Sequence, residues 1–145
     1  MGLESRVGAS LERVTPSAQT VRRLLAGAAR HIADAKSPSI SAETRFVSAY
    51  TAIRMMADAG LNALGYRTLS SRPGHHHTAI QSLADTFGVE ASVIDRVDAL
   101  RKQRNLAEYQ GDIIPEAILA ECVRQAEALQ ARALEWFKAR KPDLL

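Results

Sequence analysis

The chain has a single cysteine, Cys122, among 145 residues. One thiol closes no internal disulfide and supplies no zinc site that needs several cysteines. Aromatic residues are also scarce. Three Phe, three Tyr and one Trp make up 5% of the sequence, too few large side chains to fill the space between two packed sheets. No apolar run approaches the ~20 residues of a membrane-crossing helix. The opening segment, MGLESRVGASLERV, carries charges throughout and no apolar stretch. It is expected not to be a secretory signal, and the expected setting is cytoplasmic. Net charge is only +3, well short of a strongly basic nucleic-acid binder. The basic residues are mostly arginine, which suits bidentate phosphate contact. Arginine and alanine together also track a GC-rich coding sequence, so charge by itself assigns nothing.

What the chain does have is alanine and helical periodicity. Hydrophobic residues are 46% of the total, and alanine, the strongest helix former, supplies much of that. Residues 1–14 are polar and uneven and are expected to form a flexible tail, with a single helical domain over 15–141. Thr15-Pro16-Ser17 starts a first helix over 16–35, with Val21, Leu24, Leu25, Ala28 and Ile32 at helical spacing. A second helix starts near Ser41 and runs to about Gly65, its stripe including Phe46, Tyr50, Ile53 and Met56. The stretch 66–77, YRTLSSRPGHHH, reads as a loop. Three further helices follow over 78–87, 90–109 and 115–141, with Gly88 and Gly111 as stops. No segment alternates with period two for long enough to be a strand. The expected fold class is all-α, a five-helix up-and-down bundle without a sheet.

The densest polar cluster is Arg101, Lys102, Arg104, Asn105, Glu108 and Tyr109 on the fourth helix. Arg101, Asn105 and Tyr109 are spaced four apart and share a face. Arg104 and Tyr109, five apart, are offset by ~140° on an ideal helix. They meet in one pocket only if the helix ends or bends between them, or if they line opposite walls of a cleft. The bland alternative is a structural knot in which Arg104 and Glu108 pair at i,i+4 and Asn105 and Tyr109 satisfy a helix end.

The string RNLAEYQG over 104–111, late in a helical bundle and followed by another long helix, resembles the signature of HEPN domains. These are four- or five-helix proteins whose motif is an Arg, a polar residue such as Asn, then a His a few positions on. The resemblance covers most of the chain in helix order and length; its specific part is Arg104, Asn105 and the aromatic at 109. In active members it implies metal-independent RNA cleavage by two motif copies facing each other across a homodimer. Such chemistry needs a group that exchanges protons near neutral pH and a cation that holds the phosphate. Tyr109 stands in the histidine position here, and a free phenol, with a pKa of ~10, is a poor base at neutral pH. The resemblance therefore implies RNA or nucleotide binding through Arg101, Arg104, Asn105 and Tyr109, with weakened or no ribonuclease activity. If the chain is catalytic, Arg104 and Tyr109 are its candidate catalytic residues. Relatives serve toxin–antitoxin or antiviral systems, often beside a nucleotidyltransferase-type antitoxin, which is the partner class implied. Two other readings stand beside this one: a non-catalytic protein-interaction module, and an active metal-independent endoribonuclease with an unusual base.

No cofactor or metal is expected. His75, His76 and His77 diverge in direction and have no nearby cysteine or paired acid to complete a usual ligand set. They read as a solvated loop leading into a helix; a minor alternative is that this loop folds over the end of the fourth helix and brings an imidazole near Arg104. Cys122, Met55 and Met56 read as core. Trp136 and Phe137 are adjacent and not both expected to face one core, which leaves one to cover a partner surface. Arg22, Arg23 and Arg30 read as a solvated face.

Overall fold

The computed structural model describes residues 2–71, 73–111 and 113–145. It is mostly helical, with one small two-stranded sheet. Helix α1 spans Ala18–Ala35. Its N-cap is Ser17, whose hydroxyl accepts from the Thr20 amide at 3.2 Å, so Pro16 precedes the cap and lies outside the first turn. The Ser17 amide donates to Asn62 Oδ1 at 2.9 Å, tying the start of α1 to the end of the next helix. Helix α2 spans Ala42–Ala63, and Ser41 caps it as expected.

Helix α2 is buried on more than one side. Phe46, Ala49, Tyr50, Ile53, Met56 and Leu61 are at most 1% exposed. So many of its residues are enclosed because α1 and helix α6 (Glu116–Arg140) pack along it, and helices α3 (His75–Gln81), α4 (Leu83–Thr86) and α5 (Ala91–Gln110) lie against it as well. Small residues allow this close approach. A Cβ added at Gly60 would stand 2.7 Å from Phe87 Cζ, so the missing side chain is what admits that ring. Phe87 in turn meets Trp136 edge-on at 5.2 Å, and Trp136 meets Phe137 at 5.1 Å. Trp136 is thus half-buried in the same aromatic cluster as Phe137. The expectation that one of the two would be left for a partner is corrected: α6 offers both rings to one core because Phe87 reaches across to cover the second. Cys122 and Met56 are fully buried, as expected.

Three further expectations are corrected. The chain has a sheet: strand β1 (Leu11–Arg13) pairs antiparallel with β2 (Tyr66–Thr68), Leu11 opposite Thr68 and Arg13 opposite Tyr66. Residues 2–14 are therefore packed rather than a loose tail. Leu3 and Leu11 join Leu61 in a small apolar cluster, and Leu11 is completely buried. Three residues per strand are too few to show period-two alternation, so the pairing is decided by these distant contacts. Finally, the 66–77 stretch is not a plain loop. It begins as β2 and ends as the first turn of α3, which starts at His75 after Gly74 (φ +81°); Arg72 within it lies outside the described residues. The α5 helix ends at Gly111 (φ +72°), whose amide donates to the Leu106 carbonyl.

Leu11→Ala tests whether the first residues belong to the fold. A fully buried leucine loses about 2–5 kcal/mol on truncation, and urea unfolding should show a loss in that range. A change under about 0.5 kcal/mol, the scale of a neutral surface substitution, would mean the segment is a tail after all.

Candidate functional site

Helix α5 turns two kinds of residue toward α2. Its first half supplies Ile94, Val97 and Leu100 to the core. Its second half continues the same seam with Arg104, whose side chain is only 20% exposed. An arginine takes a core-facing position here because something beneath it offers a π face. The guanidinium lies over the ring of Tyr50, 5.5 Å from its centroid. Arg104 also reaches Glu108 Oε2 at 3.3 Å and Asn105 Oδ1 at 3.5 Å. The Glu108 pair is partly exposed and is worth a few tenths of a kcal/mol. The Nε of Arg104 and the hydroxyl of Tyr50 are both buried and find no hydrogen-bond partner among the described residues.

Asp98 organises the neighbouring turn. Its side chain is 14% exposed and accepts from Arg101 Nε at 2.8 Å; Lys102 Nζ lies at 3.7 Å, and His77 Nδ1 is at 3.0 Å. Burial pushes its carboxyl up, but hydrogen bonds from Arg101 and His77 and their charges together hold it below the usual carboxylate range. The His77 contact fastens the start of α3 to α5. As a result, Gly74, His75, His76, His77, Arg101, Arg104, Asn105 and Tyr109 line one open cleft of about 240 Å³. Arg104 and Tyr109 share it without any break in α5, because the α3 turn supplies the wall that the helix cannot.

The titrating groups respond to this crowd of guanidinium groups. His76 lies 6.1 Å from the Tyr50 ring and 4.4 Å from that of His75, centroid to centroid. Burial, helped by Arg54, His75, Arg104 and Arg101, pushes its imidazole down to about 4. Burial lifts the Tyr50 hydroxyl to about 12 against the pull of Arg104, Arg101 and Arg54. On the next turn of α2, Asp58 pairs with Arg54 at 3.4 Å. Burial raises its carboxyl to about 6, although Arg54 and His75 oppose this.

Of the residues picked from sequence, Arg101, Arg104 and Asn105 are brought together, and Tyr109 stands at the rim, 79% exposed. The three histidines converge on the same cleft rather than lying apart. Among the described residues no group of His, Cys, Asp or Glu is arranged to hold a metal ion. Sequence reasoning missed Tyr50, Arg54, Asp58 and Asp98. The available signal was their polarity on otherwise apolar faces, with Arg54 and Asp58 at i,i+4. A separate hollow of about 250 Å³, lined by residues including Leu83, Val93, Val97 and Leu129, is apolar. Among the described residues no helix is long and apolar enough to cross a membrane. Compared with family models, with curated proteins and with solved structures, the chain matches none.

The two displaced groups give opposite dependences of stability on pH. The raised Asp58 value adds stability that is present below its ordinary 3.8 and is lost as pH rises through about 6. The lowered His76 value adds stability that is present above its ordinary 6.5 and is lost as pH falls through about 4. Urea midpoints between pH 4 and 7 should separate them. Relative to the parent chain, Asp58→Asn should tilt the profile toward stability rising with pH, and His76→Asn should tilt it the other way. Parallel profiles for all three proteins would show that neither group is displaced.

Proposed function

We propose that this chain is a HEPN-like up-and-down helical protein that binds RNA or a nucleotide through the cleft of Arg101, Arg104 and Asn105. The observation that carries the reading is the state of Arg104. It is a largely enclosed cation on a buried aromatic floor, with its Nε unpartnered among the described residues and only a partly exposed carboxylate beside it. A structural ion pair needs none of that enclosure. A phosphate held in a low-dielectric cleft does, since desolvation strengthens a charge-assisted hydrogen bond. Asn105 would orient the phosphate, and Tyr109 would stack or hydrogen-bond at the rim. With its ring in solvent, Tyr109 is a poor substitute for a buried base, so cleavage through residue 109 is weak or absent.

The protein is proposed to act as a symmetric homodimer. Leu106, Tyr109 and Ile113 are 38%, 79% and 82% exposed, and Leu106 and Tyr109 flank a shallow depression next to the cleft. An apolar patch adjoining a phosphate site fits a second copy completing the groove. The same patch also favours the second reading, a non-catalytic surface for another protein such as a nucleotidyltransferase-type antitoxin.

Binding of a short single-stranded RNA should fall at least tenfold in Arg104→Ala and change less than twofold when the exposed Arg23 of α1 is replaced by alanine. Equal losses in a fluorescence-anisotropy titration would make the binding diffuse electrostatics. Sedimentation at tens of micromolar should report a dimer of the 15.8 kDa chain; a monomer would remove the dimeric groove.

A further inference from the structure

We infer that His76 is the proton-accepting residue of this cleft, positioned to take the proton of a ribose 2′-hydroxyl whose adjacent phosphate lies on Arg104 and Arg101. The inference rests on the RNA reading above and concerns what the cleft does once a strand is bound.

Three imidazoles line the cleft, and their surroundings distinguish them. His77 is committed through Nδ1 to Asp98 at 3.0 Å. His75 stands edge-on to His76 and faces Asp58, whose carboxyl feels its charge. His76 has the Tyr50 ring on one side and guanidinium groups around it, and no hydrogen bond to it is seen among the described residues. The charged and titratable groups around it are Tyr50 and Arg54 from α2, His75 and His77 from α3, and Arg101, Arg104 and Tyr109 from α5. Burial first, and then the surrounding cations, push the imidazole down to about 4, so the ring is neutral at pH 7, the form that accepts a proton. A phosphodiester bound on Arg101 and Arg104 cancels part of that positive field. The imidazole therefore gains basicity when the strand arrives and loses it when the strand leaves.

The step balances without a metal or redox partner. His76 takes the proton of the 2′-hydroxyl, and the 2′-oxygen bonds to the adjacent phosphorus. The bond from phosphorus to the 5′-oxygen breaks, and that oxygen takes a proton from water. The imidazolium then returns its proton to the hydroxide formed. The products are a 2′,3′-cyclic phosphate and a 5′-hydroxyl end. Arg104 and Arg101 face the charge that grows on the phosphate oxygens.

The test uses the full chain and a DNA oligonucleotide with one ribonucleotide, with cleavage and anisotropy read on the same samples in EDTA. The natural chain should cut at the ribonucleotide and leave a cyclic phosphate. His76→Ala and His76→Asn should cut at least about a hundredfold more slowly, the scale of a lost general base, while binding within twofold of the parent. Arg23→Ala, on the exposed face of α1, should cut within about twofold of the parent. The rate of the parent should rise with pH through an inflection that His76→Asn lacks. Tight binding with no cleavage, or cleavage that survives in both His76 variants, overturns the inference and leaves the RNA reading intact. Loss of cleavage in Tyr109→Phe with His76→Asn still active assigns the base to Tyr109 and overturns it as well. Failure of the natural chain to bind the oligonucleotide overturns the RNA reading itself.

Discussion

Everything in this molecule is arranged around the burial of α2. A helix enclosed on several sides must be narrow and largely apolar, which is why alanines and the single Gly60 are interspersed there with a few large residues. Tyr50 is the exception that creates the site. Its ring is almost completely buried, yet it carries a hydroxyl that finds no partner among the described residues. An unsatisfied buried hydroxyl is costly. That cost is accepted in this position because the π face above it seats the Arg104 guanidinium and the ring lies tilted beside His76.

Asp98 is the second constraint. It gathers Arg101, Lys102 and His77 around one carboxylate, and the last of these comes from a different element. That contact ties the α3 turn to α5, beside the core packing of Ala79 and Ile80, and so fixes one wall of the cleft. The chemistry of the cleft therefore depends on an anion that does not itself line it. The arrangement also separates two tasks. In the proposed function Arg101 and Arg104 supply positive charge for a phosphate, while burial, helped by the same charge, pushes the nearby imidazole down to about 4.

Much of the helical framework was legible in the chain. Ser41 announced the start of α2, Gly111 the end of α5, and the stripe from Phe46 to Met56 the buried face. The start of α1 was misjudged by one residue type, because Thr15, Pro16 and Ser17 all suit a helix entrance and only the bond from the Thr20 amide distinguishes them. The strands were not legible. Leu11 and Thr68 are far apart in sequence, and their pairing depends on the apolar cluster of Leu3, Leu11 and Leu61. The half-burial of Trp136 was equally hidden, since it requires Phe87 to cross the gap that Gly60 leaves open.

For the site, the local pattern on α5 was sufficient to select Arg101, Arg104, Asn105 and Tyr109, because spacing along one helix is a property of the chain alone. Local spacing could not say which of these is enclosed. Arg104 is enclosed and Tyr109 is exposed because Tyr50 belongs to another helix and lies under only one of them. Nor could it say that three histidines in a segment rich in turn residues would form the opposite wall, which follows from the Asp98 contact. The sequence by itself determined helix, cap and charge, all of which act within a few residues. Tertiary structure decided burial, and with it that Arg104 is desolvated and the His76 imidazole pushed down, because those depend on residues brought together from α2, α3 and α5.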